Sequence, residues 1–304
     1  MIGGWQFWID RGGTFTDIVG RRPDGTFVST KLLSENPQRY RDAATAGIRA
    51  LLDLAPDAPL PPGLVSSVKM GTTVATNALL ERQGAPLLLV VNEGFGDLLE
   101  IGDQSRPDLF ALDIRLPQQL YTAVEEVGGR CDVDGNPISP LDAGAAARMF
   151  ARHRSEGITA CAIALVHGWK YPEVELRLAD LARQAGFTQV STSHGTSALL
   201  GLVPRASTTV VDAYLSPVLS DYVGRVVDRL GDVPLYFMQS NGGLTEHDKF
   251  QGKDAILSGP AGGVIGAART AQAAGFERII GFDMGGTSTD VALYAGALER
   301  VIDA

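Results

Sequence analysis

Cysteine is nearly absent: Cys131 and Cys161 are the only two in 304 residues. Two cannot make a disulfide framework or a four-ligand zinc site, and both read as small buried apolar residues. Histidine is as sparse, and His153, His167, His194 and His247 lack metal-ligand spacing, so all four read as structural or surface residues. Basic residues are outnumbered, 26 Lys and Arg against 35 Asp and Glu for a formal charge of -9, and no basic stripe appears. That argues against nucleic acid or an anionic membrane as the main partner, because such binding needs clustered cations. The longest apolar runs, Ala85–Val91 and Thr159–Val166, fall far short of the roughly 18 to 20 residues that cross a bilayer. The opening Met1–Trp5 lacks the basic and apolar regions of a signal peptide, so a cytoplasmic location is expected.

What is present is an ordinary globular profile, 45% hydrophobic and 20% charged, with one excess: 36 glycines, about 12% of the chain against a usual ~7%. They cluster in short motifs beside apolar strands, where backbone must approach something closely. Strands are expected at Trp5–Asp10, Phe15–Arg21 and Thr26–Leu33, a helix over Arg39–Leu54, a strand at Ser66–Met70 and a helix over Val74–Arg82. After strand Pro86–Val91, residues 94–140 read as mixed and turn-rich. Leu141–Glu156, Ile158–Val166, Pro172–Ala185 and Thr188–Ser191 then alternate helix and strand, the pattern of an α/β layer with a largely parallel sheet. A long helix over Arg205–Arg229, strands Pro234–Gln239, Ala255–Leu257 and Arg278–Asp283, and a helix opening at Pro260 complete the reading, with a domain boundary near residue 200.

One motif occurs twice. Asp10-Arg11-Gly12-Gly13-Thr14-Phe15-Thr16-Asp17 and Asp283-Met284-Gly285-Gly286-Thr287-Ser288-Thr289-Asp290 share six of eight positions, and each lies between two apolar strands. Two glycines permit positive φ and converging N–H groups, Thr adds a hydroxyl, and the strand-end Asp can hold a cation-bound water. A single copy is as readily a plain hairpin turn. Two copies favour facing phosphate clamps, since a structural turn has no reason to repeat its hydroxyl and both carboxylates. No Walker loop, dinucleotide fingerprint or nucleophile elbow competes.

The paired hairpins resemble those of the acetate-kinase, sugar-kinase, heat-shock-70 and actin superfamily. With Met70–Arg82, Ser258–Gly263 and the segment Gly94–Phe110, they resemble the hydantoinase A/5-oxoprolinase family over essentially the whole chain, and ATP-dependent 5-oxoprolinase within it. The resemblance implies an α/β, actin-like two-lobed fold with residues 1–200 as the first lobe and 201–304 as the start of a truncated second. It also implies ATP-dependent hydrolysis of a cyclic amide, 5-oxo-L-proline to L-glutamate, through phosphorylation of the lactam oxygen. N-substituted hydantoin hydrolysis, ATP-dependent ketone carboxylation and a non-catalytic ATP-clamping switch or scaffold are the alternatives.

On this reading Gly12, Gly13 and Thr14 face one side of the ATP phosphates and Gly285, Gly286 and Thr287 the other. Asp10 and Asp283 hold Mg²⁺ through water, and Asp10, Asp283 and Thr14 are the catalytic candidates. Gly262 and Gly263, in a helix-opening motif with Pro260 at its first position, are assigned to the nucleotide, with close helix packing as the alternative. Thr72 and Thr73 begin a helix and contact substrate or γ-phosphate, or Thr72 merely caps. Asn77 meets the lactam or satisfies backbone, and Arg106 binds a substrate carboxylate or is simply solvated. Gln239–Gly243 is a cleft loop or simple turn chemistry. Because 22 residues run from Asp283 to Ala304, the rest of the second lobe and a second catalytic module or subunit are expected as partners. Weak ATP binding, no independent activity and an exposed sheet edge are expected of these residues alone.

Overall fold

A computed structural model of the chain describes residues 3–56, 58–103, 118–284 and 289–298. In chain order it begins with strands β1 (Trp5–Arg11), β2 (Phe15–Arg21) and β3 (Phe27–Leu33), helix α1 (Ala43–Leu51), β4 (Val65–Thr72) and α2 (Val74–Leu80). Next come β5 (Leu87–Asn92), α3 (Leu98–Ile101), β6 (Ala123–Val127), α4 (Ala143–Ser155), β7 (Ala160–Ile163), α5 (Glu173–Gln184), β8 (Gln189–Thr192) and α6 (Ser193–Thr196). The long helix α7 (Leu202–Leu230) leads to β9 (Leu235–Met238), β10 (Leu244–Glu246), α8 (Gly252–Ala255), α9 (Ser258–Ala273), β11 (Arg278–Met284) and β12 (Thr289–Ala295).

The result is a mixed α/β fold in two compact units, Met1–Glu81 with Val218–Ala304, and Arg82–Pro217. These units do not follow one another as the 1–200 and 201–304 division has them. The physical reason is β9: it pairs in parallel with β4, Met70 opposite Phe237, which brings the later chain back to the first sheet.

In the first unit a six-stranded sheet runs β10-β9-β4-β1-β2-β3. Tight turns make β1, β2 and β3 an antiparallel meander, whereas β1 and β4 are parallel and need the crossover through α1. Strict alternation along β2 buries Thr16, Ile18 and Gly20 and exposes the residues between, so one face is core. Against that face lies α1, close enough that a Cβ on Gly47 would fall 2.6 Å from Ile18 Cδ1. This helix starts at Ala43, later than Arg39, because the Asp42 carboxylate accepts the Thr45 N–H at 2.8 Å and ends the preceding turn.

In the second unit four parallel strands run β6-β5-β7-β8. Every residue of β5 and β7 is buried, as expected of parallel strands covered on both faces. Leu88, Val90, Phe150, Cys161, Ile163, Leu178 and Phe187 form the core, with Phe150 and Phe187 edge to face at 5.7 Å. Cys161 is fully buried as expected, while Cys131 is half-buried beside an isolated bridge to Pro137; both are free thiols. The turn-rich stretch contains α3 and β6, which pairs with β5.

Two expectations need correction. Ala255–Leu257 is not a strand: Ala255 ends α8 and Leu257 precedes α9, a turn fixed by Ser240, which accepts the Leu257 N–H and donates to Asp254 O. Pro260 is the third residue of α9 rather than the first. It is tolerated there because the first four helical N–H groups have no intrahelical partner.

The two-stranded pair β11–β12 lies in the first unit. One face meets α9, where Gln272 Nε2 donates to Tyr294 OH at 2.5 Å, and on the other Ile280, Phe282, Met284, Val291 and Leu293 are all 65% or more exposed. No helix among the described residues is long and apolar enough to cross a membrane.

Candidate functional site

The carboxyl ends of β1 and β4 lie side by side because the strands are parallel, so Asp10 pairs with Gly71 and Arg11 with Thr72. Asp10 Oδ1 sits 3.5 Å from where a Cβ on Gly71 would be, so glycine leaves room beside the carboxylate. Across the hairpin Asp10 is opposite Asp17, and Asp17 is bonded to Lys31 at 2.8 Å. The Asp10 carboxyl is held above the ordinary aspartate value by desolvation first, then by the like charges of Asp17 and Asp283, against a pull from Lys31. Asp10 and Asp283 are thus within electrostatic reach of each other.

The turn after β1 is braced from β3. Ser34 Oγ donates to Gly12 O at 2.6 Å, the Ser34 N–H donates to Thr14 O at 2.9 Å, and the Ser34 and Thr16 hydroxyls meet at 3.0 Å in the interior. Gly12 does not adopt positive φ, contrary to the conformational reading of the motif. Its need for glycine is steric: a Cβ would lie 3.1 Å from Phe15 O, across the Gly12 N–H to Phe15 O bond of 3.0 Å.

The Arg11 carbonyl accepts both the N–H and the hydroxyl of Thr73, at 3.0 and 3.2 Å, which ties the start of α2 to the hairpin. Thr72 is fully buried, and its hydroxyl accepts the Val74 N–H at 3.3 Å. Thr73 and Asn77 are half-buried on the same junction. The first turn of α9 joins it: Ser258 Oγ donates to Thr72 O at 2.8 Å, and a Cβ on Gly259 would stand 3.4 Å from Thr73 Cγ2. A Cβ on Gly259 would make ordinary contact there, one on Gly262 would be 3.9 Å from Met238 and one on Gly263 would meet nothing, so packing requires none of the three. Gln239–Gly243 is the β9–β10 turn, with Asn241 Oδ1 accepting the Gly243 N–H at 2.7 Å.

The second copy of the motif reproduces the register of the first. Asp283 is opposite Asp290 and Met284 opposite Thr289, as Asp10 is opposite Asp17 and Arg11 opposite Thr16. Gly285, Gly286, Thr287 and Arg106 lie outside the described residues. The structure thus brings together Asp10, Gly12, Thr14, Thr72, Thr73 and the start of α9, with Asp283 in electrostatic reach of Asp10. Sequence reasoning missed Ser34, which carries no motif signal, and the packing of Arg11, whose guanidinium lies 4.8 Å from the Tyr222 ring centre. Among the described residues no three His, Cys, Asp or Glu form a ready metal cluster.

A repeated strand, turn and strand with paired carboxylates, set beside two helix starts on a mixed α/β sheet, defines a candidate anion-handling protein. The chain belongs to the hydantoinase/oxoprolinase family: residues 6–186 match its N-terminal region and residues 205–304 its hydantoinase/oxoprolinase region. It is 41% identical to 5-oxoprolinase 1 of Arabidopsis thaliana over 98% of this chain and 26% of that protein. Its fold is similar to nucleotide-free acetone carboxylase, with a TM-score of 0.81 and 25% identity over 97% of this chain and 44% of that one. It is also similar to the ATP-dependent caprolactamase from Pseudomonas jessenii, with a TM-score of 0.75 and 32% identity over 95% and 43%. The chain spans about a quarter of the length of the curated oxoprolinases it matches.

Proposed function

We propose that this chain forms the phosphate-handling part of an ATP-dependent cyclic amide hydrolase, acting on 5-oxo-L-proline to give L-glutamate. The observation that carries the reading is the repeat: two hairpins of one register in one unit, with Asp10 and Asp283 in electrostatic reach of each other. Family membership and the 41% identity to an oxoprolinase support the substrate. An unstrained lactam resists water because amide resonance protects its carbonyl, and phosphorylation of the lactam oxygen makes that carbon an electrophile. Such transfer depends on positioning and charge stabilisation.

The hairpin residues Gly12, Gly13 and Thr14 hold the phosphates on one side, and Gly285, Gly286 and Thr287 on the other. Asp10 lies near the like charges of Asp17 and Asp283, and carboxylate oxygens are the hard donors that Mg²⁺ takes, one or two at a time with water completing its shell. Asp10 and Asp283 would hold the ion through water, and when bound it supplies charge neutralisation at the phosphates. Thr72, Thr73, Asn77 and Arg106 are assigned to the substrate; the Thr72 hydroxyl accepts from Val74 and keeps its own proton to donate. Gly262 and Gly263, which no packing contact requires, leave space for the nucleotide. In this reading the fold is actin-like, the protein is cytoplasmic, and the further length of the relatives corresponds to the rest of a second lobe and a hydrolytic module.

The likeness to caprolactamase and acetone carboxylase makes a larger lactam, or a ketone with bicarbonate, the second reading. Phosphate release by the full-length enzyme is measured with 5-oxoproline, hydantoin, caprolactam, and acetone plus bicarbonate. Stimulation by 5-oxoproline above the others is expected; no stimulation by any lactam overturns the proposal.

A further inference from the structure

The last residue of β1 puts a charge in an apolar row. Arg11 follows Phe7 and Ile9 on the buried side of the strand, and the residues opposite it, Thr16 on β2 and Thr72 on β4, are fully buried. Its guanidinium lies over the ring of Tyr222, 4.8 Å from the centroid, a favourable contact for a cation. That contact uses none of its N–H donors. Nε is enclosed without a hydrogen-bond partner, whereas the two terminal nitrogens are neither enclosed nor bonded among the described residues, and the residue as a whole is only half-buried. A guanidinium held by a ring in this way keeps its N–H fork for a planar partner such as a carboxylate.

The other interior arginines show what a structural role demands. Arg205 donates to Ser193 and to the carbonyls of Leu165, Leu199 and Leu200, and Arg49 to the carbonyls of Thr45, Ala58 and Arg229. Arg11 makes no such bond. The repeated motif isolates it in a second way: Asp10, Gly12, Gly13 and Thr14 recur as Asp283, Gly285, Gly286 and Thr287, but Arg11 is replaced by Met284. The copy without the arginine keeps every residue assigned to phosphate or Mg²⁺, so those tasks do not account for Arg11. What sets the first hairpin apart is its tie to the start of α2, where Arg11 O accepts both the N–H and the hydroxyl of Thr73, a residue assigned to the substrate.

We propose that Arg11 is a specificity-determining residue that pairs with the carboxylate of the substrate and so selects lactams bearing an acid group. This rests on the proposed function and adds the contact that recognises the acid; Arg106 is the competing candidate. Affinities of the full-length enzyme for 5-oxo-L-proline and for 2-pyrrolidinone, the same ring without the acid, are measured by calorimetry with Mg²⁺ and a non-hydrolysable ATP analogue. Wild type is expected to prefer the acid by about tenfold or more, and Arg11→Met to lose most of that preference through weaker binding of the acid alone. Arg11→Lys, which keeps the charge without the fork, is expected to recover part of it; should Arg11→Met fail to fold, Arg11→Lys alone carries the test, with a smaller drop in preference. An equal loss for both ligands would mark a structural role and overturn the proposal. So would a wild type without preference for the acid, a preference untouched in the Arg11 variants, or one lost only in Arg106→Met. In those cases the proposed function still stands if 5-oxo-L-proline drives phosphate release by the wild type, whereas a wild type that binds neither lactam and shows no such release ends both.

Discussion

The two copies of the Asp-x-Gly-Gly-Thr motif share a strand register but not an environment. The first is built into a sheet: β1 has β2 on one side and β4 on the other, Phe7 and Ile18 are fully buried, and Ser34 braces the turn from β3. The second is a lone pair of strands, with α9 against one face and Ile280, Phe282 and Leu293 exposed on the other. Equal local sequence therefore produces equal pairing, while burial comes from the neighbours that each hairpin finds.

The sharpest way to break this comparison is to remove one carboxylate at a time. Asp10→Asn and Asp283→Asn in the full-length enzyme should each lower turnover by about 10²-fold or more, since a missing charge beside a transferring phosphoryl group is felt in the transition state. Steady-state phosphate release reads this, with circular dichroism to confirm folding; wild-type turnover in either variant would remove that residue from the mechanism and end the functional equivalence of the hairpins.

Packing gives the next largest contrast. Phe7→Ala should destabilise by about 3–5 kcal/mol, as large aromatic deletions in a core do, whereas Phe282→Ser, at a position 67% exposed, should stay within about 0.5 kcal/mol. Urea titrations of this chain measure both, and similar losses would show that the second hairpin is covered in solution. Ser34→Ala removes the brace of the first turn and leaves the buried Thr16 hydroxyl short of a partner, a loss of about 1–3 kcal/mol in the same titration. Smallest is Lys31→Met: the Lys31–Asp17 pair is more than half exposed on both sides, so about 0–1 kcal/mol is expected, and a larger loss would point to a network beyond the pair.

Much of this was legible before any coordinates. Strand Phe15–Arg21 follows from the tight turns that bound it, the helix expected over Val74–Arg82 is present and ends at Leu80, and the like register of both hairpins accords with a motif shared at six of eight positions. Helix starts were less legible, because Asp42 moves the beginning of α1 by a side-chain bond that competes with helix continuation. Three apolar residues, Ala255–Leu257, could not be told from a strand, and a Ser240 contact seventeen positions away decided for a turn. The steric role of Gly12 was hidden for a similar reason, since a motif shows where glycine is required but not whether φ or space requires it.

The amino-acid order by itself determined the repeated motif, its local hairpins and its family, because turn chemistry and side-chain alternation act over a few residues. Only the tertiary structure decided that β9 returns beside β4 and that Ser258 and Thr73 lock two helix starts onto the Arg11 hairpin. Those facts depend on contacts between residues as much as 186 positions apart, and no local preference encodes which distant groups will share an interior.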